Sequence, residues 1–356
     1  MVPANVLSPP VRLHTLLLGF QTDWLSLVVL VTEIGAAAWY LVSVRRLAVR
    51  GRRWSRWRSA SFVSGIAVVF VATGSGLAAY DDSVFEMHVI QHLLLMNFAP
   101  VLLALSAPIT LALQASNRGT QRWLLRVLHH PVVAVVTNPF VVIFLYSGTM
   151  IAYFLSPFYQ FSLEHPLLHD YTHLHFLVSG CLYWWLVVGL DPGRWRLTFP
   201  MKLGLLVVEI PVGTVLGLTL TQSRVSVAPL FHTVTDTHAG GSIAWVVSEG
   251  FTLIAITIVL IQWMRADQRE AIQADRAEDR ALARARAGAS GGSVEPADTP
   301  RPAPAGAPDD GGVDVGGGGG RGRQGLAPTA PEATRVVVRD GRLVPADHAT
   351  RATRDR

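Results

Sequence analysis

The chain has 356 residues, half of them hydrophobic and only 15% charged, with a formal net charge of +5 and a pI near 9.8. That balance excludes an ordinary soluble domain and requires charge to be segregated from long apolar stretches. Cys181 is the only cysteine, which excludes internal disulfides and paired thiolate ligands and leaves it as a small core residue near mid-membrane.

In chain order, residues 1–21 carry Pro3, Pro9 and Pro10 and lack the charged start, long apolar region and small-residue cleavage site of a signal peptide. They read as an external N-terminal arm. Apolar runs long enough to cross about 30 Å of hydrocarbon follow at 22–44, 59–80, 86–113, 132–156, 169–190, 201–221 and 240–264. The expected fold class is all-α: a polytopic membrane bundle of seven transmembrane helices over residues 22–264. Pro100, Pro108, Pro139 and Pro211 fall inside these runs and are expected to kink them.

Orientation follows from arginine, because short basic loops stay cytoplasmic. Arg45, Arg46, Arg50, Arg52, Arg53, Arg56 and Arg58 fill the first loop, Arg118, Arg122 and Arg126 the third, and Arg194, Arg196 and Lys202 the fifth. The second loop is acidic, with Asp81, Asp82 and Glu86, the fourth holds Glu164, and the sixth has only Arg224. The N-terminus is therefore expected outside and the C-terminus in the cytoplasm. Residues 265–287 are rich in helix formers and read as a charged cytoplasmic helix extending the last span. Residues 288–356 are dominated by Gly, Pro, Ala and Arg and are expected to be disordered, with arginines available to anionic lipid. Lacking interleaved aromatics, this segment is not expected to bind nucleic acid. Lys202 is the only lysine, and no lysine lies in the last span, so a retinal Schiff base is excluded.

The chemistry gathers in histidines. His88 and His92 lie in the first turns of the third run, and His169 and His173 in the first turns of the fifth, both at i, i+4 spacing that puts the two rings on one helix face. Both runs enter from the same, external side. If the two are neighbours, four imidazoles share one shallow pocket. Met96 continues the first stripe, and Met150 in the outward-running fourth run reaches a similar level. Imidazole suits copper and zinc, and thioether favours Cu(I), so the mixed set points to copper first and zinc second. The alternative is that the histidines are interfacial residues bonded to backbone or to Asp81, Asp82 and Asp170. His175 is two residues from His173, faces elsewhere, and is expected to be structural or to support a ligand. Glu33, Glu209 and Glu249 lie inside spans, where an ionisable group needs a partner or a water-filled cavity.

Several stretches carry a resemblance. GRRWSRWRSASF, SGLAAYDDSVFEMHVIQHLLLMNFAPVLLALSAPITLAL, HPVVAVVTNPFVV, YFLSPFYQFSLEHPLLHDYTHLHFLVSGCLYWWLVVGLDP and GGSIAWVVSEG run in order over about residues 22–270. Together they resemble the seven-span CtaG-like assembly factors of caa-type cytochrome c oxidase. The resemblance implies a bacterial plasma-membrane protein that is not an enzyme and that supplies copper to the oxidase catalytic subunit or works with its copper-delivery proteins. It also implies His88, His92, His169, His173 and His175 as copper residues. The chain departs from the family pattern at Val89 and Leu93, where methionine is common, and at Gly213, where a histidine is expected. Two other functions remain open on the residues alone. One is a haem-binding membrane electron carrier using the paired histidines as axial ligands; the other is a metal-ion permease with Glu33, Glu209 and Glu249 along its path.

Overall fold

The computed structural model describes residues 19, 24–80, 84–290, 336–339 and 342–345. The expected N-terminal arm, Asp81, Asp82 and most of 288–356 therefore lie outside the described residues. Residues 1–289 form one compact unit and residues 290–356 another. Within the second, Val336–Arg339 and Arg342–Pro345 pair antiparallel, with Val337 opposite Val344. The reading of 288–356 from composition does not anticipate this strand pair.

The first unit is built of helices. Among the described residues, five are long and apolar enough to cross a membrane: Ser26–Val49, Arg56–Gly74, Phe85–Ala115, Phe199–Thr221 and Val234–Arg286. This makes the chain a membrane protein. The fifth expected span forms as an unbroken helix, Pro166–Val188, of 23 residues, or about 34 Å. His169, Asp170, His173 and His175 lower its mean hydropathy, and it is not among those five.

The fourth expected span differs more. Instead of one helix over 132–156, a short helix Pro131–Val136 stops at Thr137 and a second apolar stretch runs over Pro139–Phe154. Pro139 has no N–H with which to continue a helix, and the Asn138 side chain caps the Phe140 N–H at 3.0 Å. The seventh helix exceeds its apolar run, extending without a break over Val234–Ser290, so residues 265–287 continue the same helix.

Pro100 and Pro108 also leave marks, while Pro211 lies inside the unbroken helix Phe199–Thr221. Residues Leu94–Phe98 form a π-helical turn inside the third span. Pro100 cannot donate to the Met96 carbonyl one turn back, and the Trp184 indole N–H of the fifth helix donates to it instead, at 3.1 Å. At the far end of this span Ala107 takes a left-handed conformation (φ 51°) before Pro108–Ala115 resumes the helix. The Asp191 carboxylate caps that restart, accepting from the Ile109 and Thr110 N–H groups at 3.1 and 2.7 Å. The Gly-Leu-Asp-Pro motif thus has a structural duty. Gly189 (φ +64°) ends the fifth helix, and two residues later Asp191 holds the third.

Close helix contacts set the bundle. A Cβ at Gly180 would stand 2.6 Å from the Met96 carbonyl oxygen, so only glycine allows the third and fifth helices to approach as they do. Gly213 and Gly217, four apart on the sixth helix, face Glu249 and Trp245 of the seventh in the same small-residue manner. The main core fills the space among the third to seventh segments, with Val89, Met96, Tyr146, Phe176 and Tyr183 among its buried members. A smaller core stacks Tyr40 of the first helix on Phe62 of the second, centroids 4.0 Å apart.

Candidate metal centre

Two helix starts build the site. The third span begins at Phe85, and the fifth helix at Pro166, where the fixed φ of proline suits the first helical position. The fifth helix packs on Leu94–Leu105 of the third span, and ring contacts between the two helix starts supply the adjacency that a shared site requires. Each i, i+4 pair aims its rings at the other helix.

All four imidazoles meet. His88 lies 4.2 Å from His92, 5.2 Å from His169 and 5.8 Å from His173, centroid to centroid. His173 stands 5.3 Å from His92 and 4.5 Å from His169. One nitrogen from each of His88, His92 and His173 lies within 4.8 Å of the others, a spacing from which small ring rotations would bring three donors onto one ion.

The surroundings are aromatic. Tyr153 and Phe154 pack on His88 and His92, Tyr159 packs on His88 at 4.8 Å, and Phe176 on His92 at 4.7 Å. His88 is wholly buried and His92 is 2% exposed, yet neither nitrogen of either ring has a hydrogen-bond partner among the described residues. Buried polar groups are nearly always satisfied. These four atoms are therefore the least explained polar groups of the core, and a coordinated ion is one group that would satisfy them.

The remaining predicted residues divide. His175 stands apart from the four rings: its Nε2 is hydrogen-bonded to the Thr149 hydroxyl at 2.9 Å and its ring lies against Phe176. Met96 and Met150 line a cavity of about 40 Å³ on the inner side of His92. That cavity continues past Asn97 and Tyr146 to Glu209 and Gly213, so it joins the histidines to the middle of the bundle. On the other side, a cleft of about 640 Å³ between the first, second, third and fifth helices reaches His169, His173, Asp170 and Gln91.

The intramembrane carboxylates each accept from a hydroxyl on a neighbouring helix: Glu33 from Thr73 at 3.2 Å, Glu249 from Thr214 at 3.0 Å, and Glu209 from Ser147. Ser147 sits in a second π-helical turn, Phe144–Gly148.

One neighbour was not singled out from sequence. His232, in the loop before the last helix, is buried, and its Nε2 is hydrogen-bonded to the Tyr159 hydroxyl at 2.8 Å beneath Phe85. Burial pushes its imidazole down to about 4, with Asp236 pulling the other way. No short-range pattern marks this contact, since the partners are 73 residues apart. His238, in the first turns of the last helix, is hydrogen-bonded to the Ser223 carbonyl and takes no part.

Comparison with known proteins matches these features to a family and to relatives. An uncharacterized protein of Mycobacterium bovis is 31% identical over 270 residues, covering 71% of this chain and 40% of its own. An uncharacterized protein of Mycobacterium leprae is 29% identical over 269 residues, covering 71% and 41%. The chain thus spans about two fifths of the length of these relatives. No solved structure matches it. The family described as cytochrome c oxidase caa3 assembly factor matches residues 38–266, which include every histidine of the cluster, and the chain belongs to that family.

Proposed function

We propose that the chain is a multi-pass protein of the bacterial plasma membrane that binds copper through His88, His92, His169 and His173 at the external face and delivers it to cytochrome c oxidase. In this reading seven segments cross the membrane, the N-terminus is external, and the arginine-rich loops are cytoplasmic. The role is to hold and release cargo, with no catalysed reaction.

The observation that carries the reading is the pair His88 and His92, buried with all four ring nitrogens unpartnered among the described residues. Leaving a buried polar group unsatisfied costs about 1–3 kcal/mol. A coordinated ion engages one nitrogen of each ring and removes much of that cost. Copper is favoured over zinc because Met96 and Met150 bring thioethers to the cavity beside His92, and soft donors select Cu(I). A haem is disfavoured by the packing of the rings on one another, 4.2 to 5.8 Å between centroids, with no slab of space for a macrocycle between them.

Transfer requires exchangeable ligands. His169 and His173 line the lateral cleft, whereas His88 and His92 lie behind them, so the cleft supplies the entry and exit path and the inner pair supplies retention. His175 contributes by holding Thr149 and the fourth segment against the fifth helix.

In cells carrying His88→Ala/His92→Ala at matched protein level, cytochrome c oxidase activity is expected to fall severalfold and to recover partly with added copper. Undiminished oxidase activity would overturn the proposal.

A further inference from the structure

A large cavity lies at the opposite end of the bundle from the histidines. It has a volume of about 840 Å³ and is lined by the last turns of the third and fifth helices, the short helix Pro131–Val136 and the loop between the fifth and sixth helices. Trp185, in its wall, is twelve residues beyond His173 on one helix, or about 18 Å away along the axis.

Its two halves differ in chemistry. Val133, Leu182 and Leu186 form an apolar slot in the bundle wall, and Arg194, Arg196 and Lys202 stand at its rim. The one carboxylate in the lining among the described residues, Asp191, is committed elsewhere. It accepts from the Ile109 and Thr110 N–H groups and from the Thr110 hydroxyl at 2.6 Å. Among the described residues no ion pair joins Asp191 to Arg194, Arg196 or Lys202. The rim loop is held in place, because the Trp195 indole N–H donates to the Ala134 carbonyl at 2.9 Å and the Lys202 ammonium donates to the Val188 carbonyl at 3.3 Å.

The geometry points to a binding site for an anionic phospholipid, with the phosphate at Arg194, Arg196 and Lys202 and an acyl chain in the Val133/Leu182/Leu186 slot. An uncharged polar ligand would leave the cations unanswered, and a free phosphate would leave the apolar slot in contact with water. A single molecule with a charged head and an apolar tail satisfies both halves. Basic pockets between membrane helices recognise lipid head groups by the same combination.

The test is native mass spectrometry of the full chain released from detergent micelles containing phosphatidylglycerol or phosphatidylcholine, beside thermal stability in the same mixtures. One phosphatidylglycerol per chain is expected to be retained at least about tenfold more tightly than phosphatidylcholine. That preference should disappear in Arg194→Gln/Arg196→Gln, two exposed side chains whose change should not disturb folding. In Val133→Trp, which fills the slot and leaves the charges, both lipids should bind weakly. Arg118→Gln/Arg122→Gln removes equal charge from the helix Arg118–Leu128 and should leave the preference intact. Equal retention of the two lipids, equal loss in the Arg118/Arg122 control, undiminished binding in Val133→Trp, or glycerol phosphate competing as well as the intact lipid would each overturn the site.

Discussion

Gly180 of the fifth helix lies against the backbone of Met96 in the third, so close that a Cβ would stand 2.6 Å from the Met96 carbonyl oxygen. The same carbonyl accepts the Trp184 indole N–H because Pro100 has no N–H to offer it. A missing side chain and a missing hydrogen thus lock two helices together, and the four histidines about one to three turns away converge as a result. Gly180→Leu should separate the helices and weaken metal binding even though it touches no histidine. Overpacking of this kind costs about 1–3 kcal/mol. The expected outcome is a lower unfolding temperature in detergent together with reduced copper retention; retention unchanged at a lowered unfolding temperature would show that helix spacing does not control the site.

Asp191 makes a contrasting prediction. Its carboxylate caps the helix that restarts at Pro108, at the end of the bundle away from the histidines. Asp191→Ala should cost about 1–2 kcal/mol, in line with loss of a helix cap. Copper stoichiometry should stay as in the unaltered protein. Calorimetry or dye-monitored melting, beside metal analysis, checks both halves.

The histidines themselves are not equivalent. His175 is bonded to Thr149 and stands outside the ring cluster. His175→Ala should therefore retain copper, whereas His173→Ala, which removes one of the three convergent nitrogens, should lose it. Metal analysis of the two variants purified side by side decides this, and loss in both would extend the site to His175.

His232 gives a pH dependence. Its imidazole is held neutral by burial, down to about 4 in the folded protein, against about 6.5 in an unfolded chain. Below pH 6.5 the unfolded state binds the proton that the folded state refuses, so this contribution to stability is complete above pH 6.5. It is lost progressively as pH falls toward 4. Unfolding temperature should drop across that window, and the drop should be smaller in His232→Asn, which has no group titrating there.

Much of this was legible in the sequence, for identifiable reasons. Apolar runs locate most helices because a bilayer demands length and apolarity, and i, i+4 spacing alone places His88 with His92 and His169 with His173 on single faces. What the sequence does not show is contact between distant segments. That the two pairs meet depends on Gly180 against Met96, 84 positions earlier in the chain, and nothing local marks that glycine as an interface. The π-helical turns at Leu94–Phe98 and Phe144–Gly148 are joined by the Tyr146 hydroxyl donating to Asn97 at 2.8 Å, and Tyr159 with His232 is likewise a tertiary pairing. The break at Thr137 and Asn138 was locally encoded by Asn-Pro, but an apolar stretch on either side of it reads as one span.

The most direct test of the copper reading is the metal content of the purified protein after loading with Cu(I) under reducing conditions, for the unaltered chain and for His88→Ala/His173→Ala, with zinc loaded in parallel. The account predicts about one copper per chain, lost in the double variant and not matched by zinc. Copper absent from the unaltered protein, or equally retained by the variant, would contradict it.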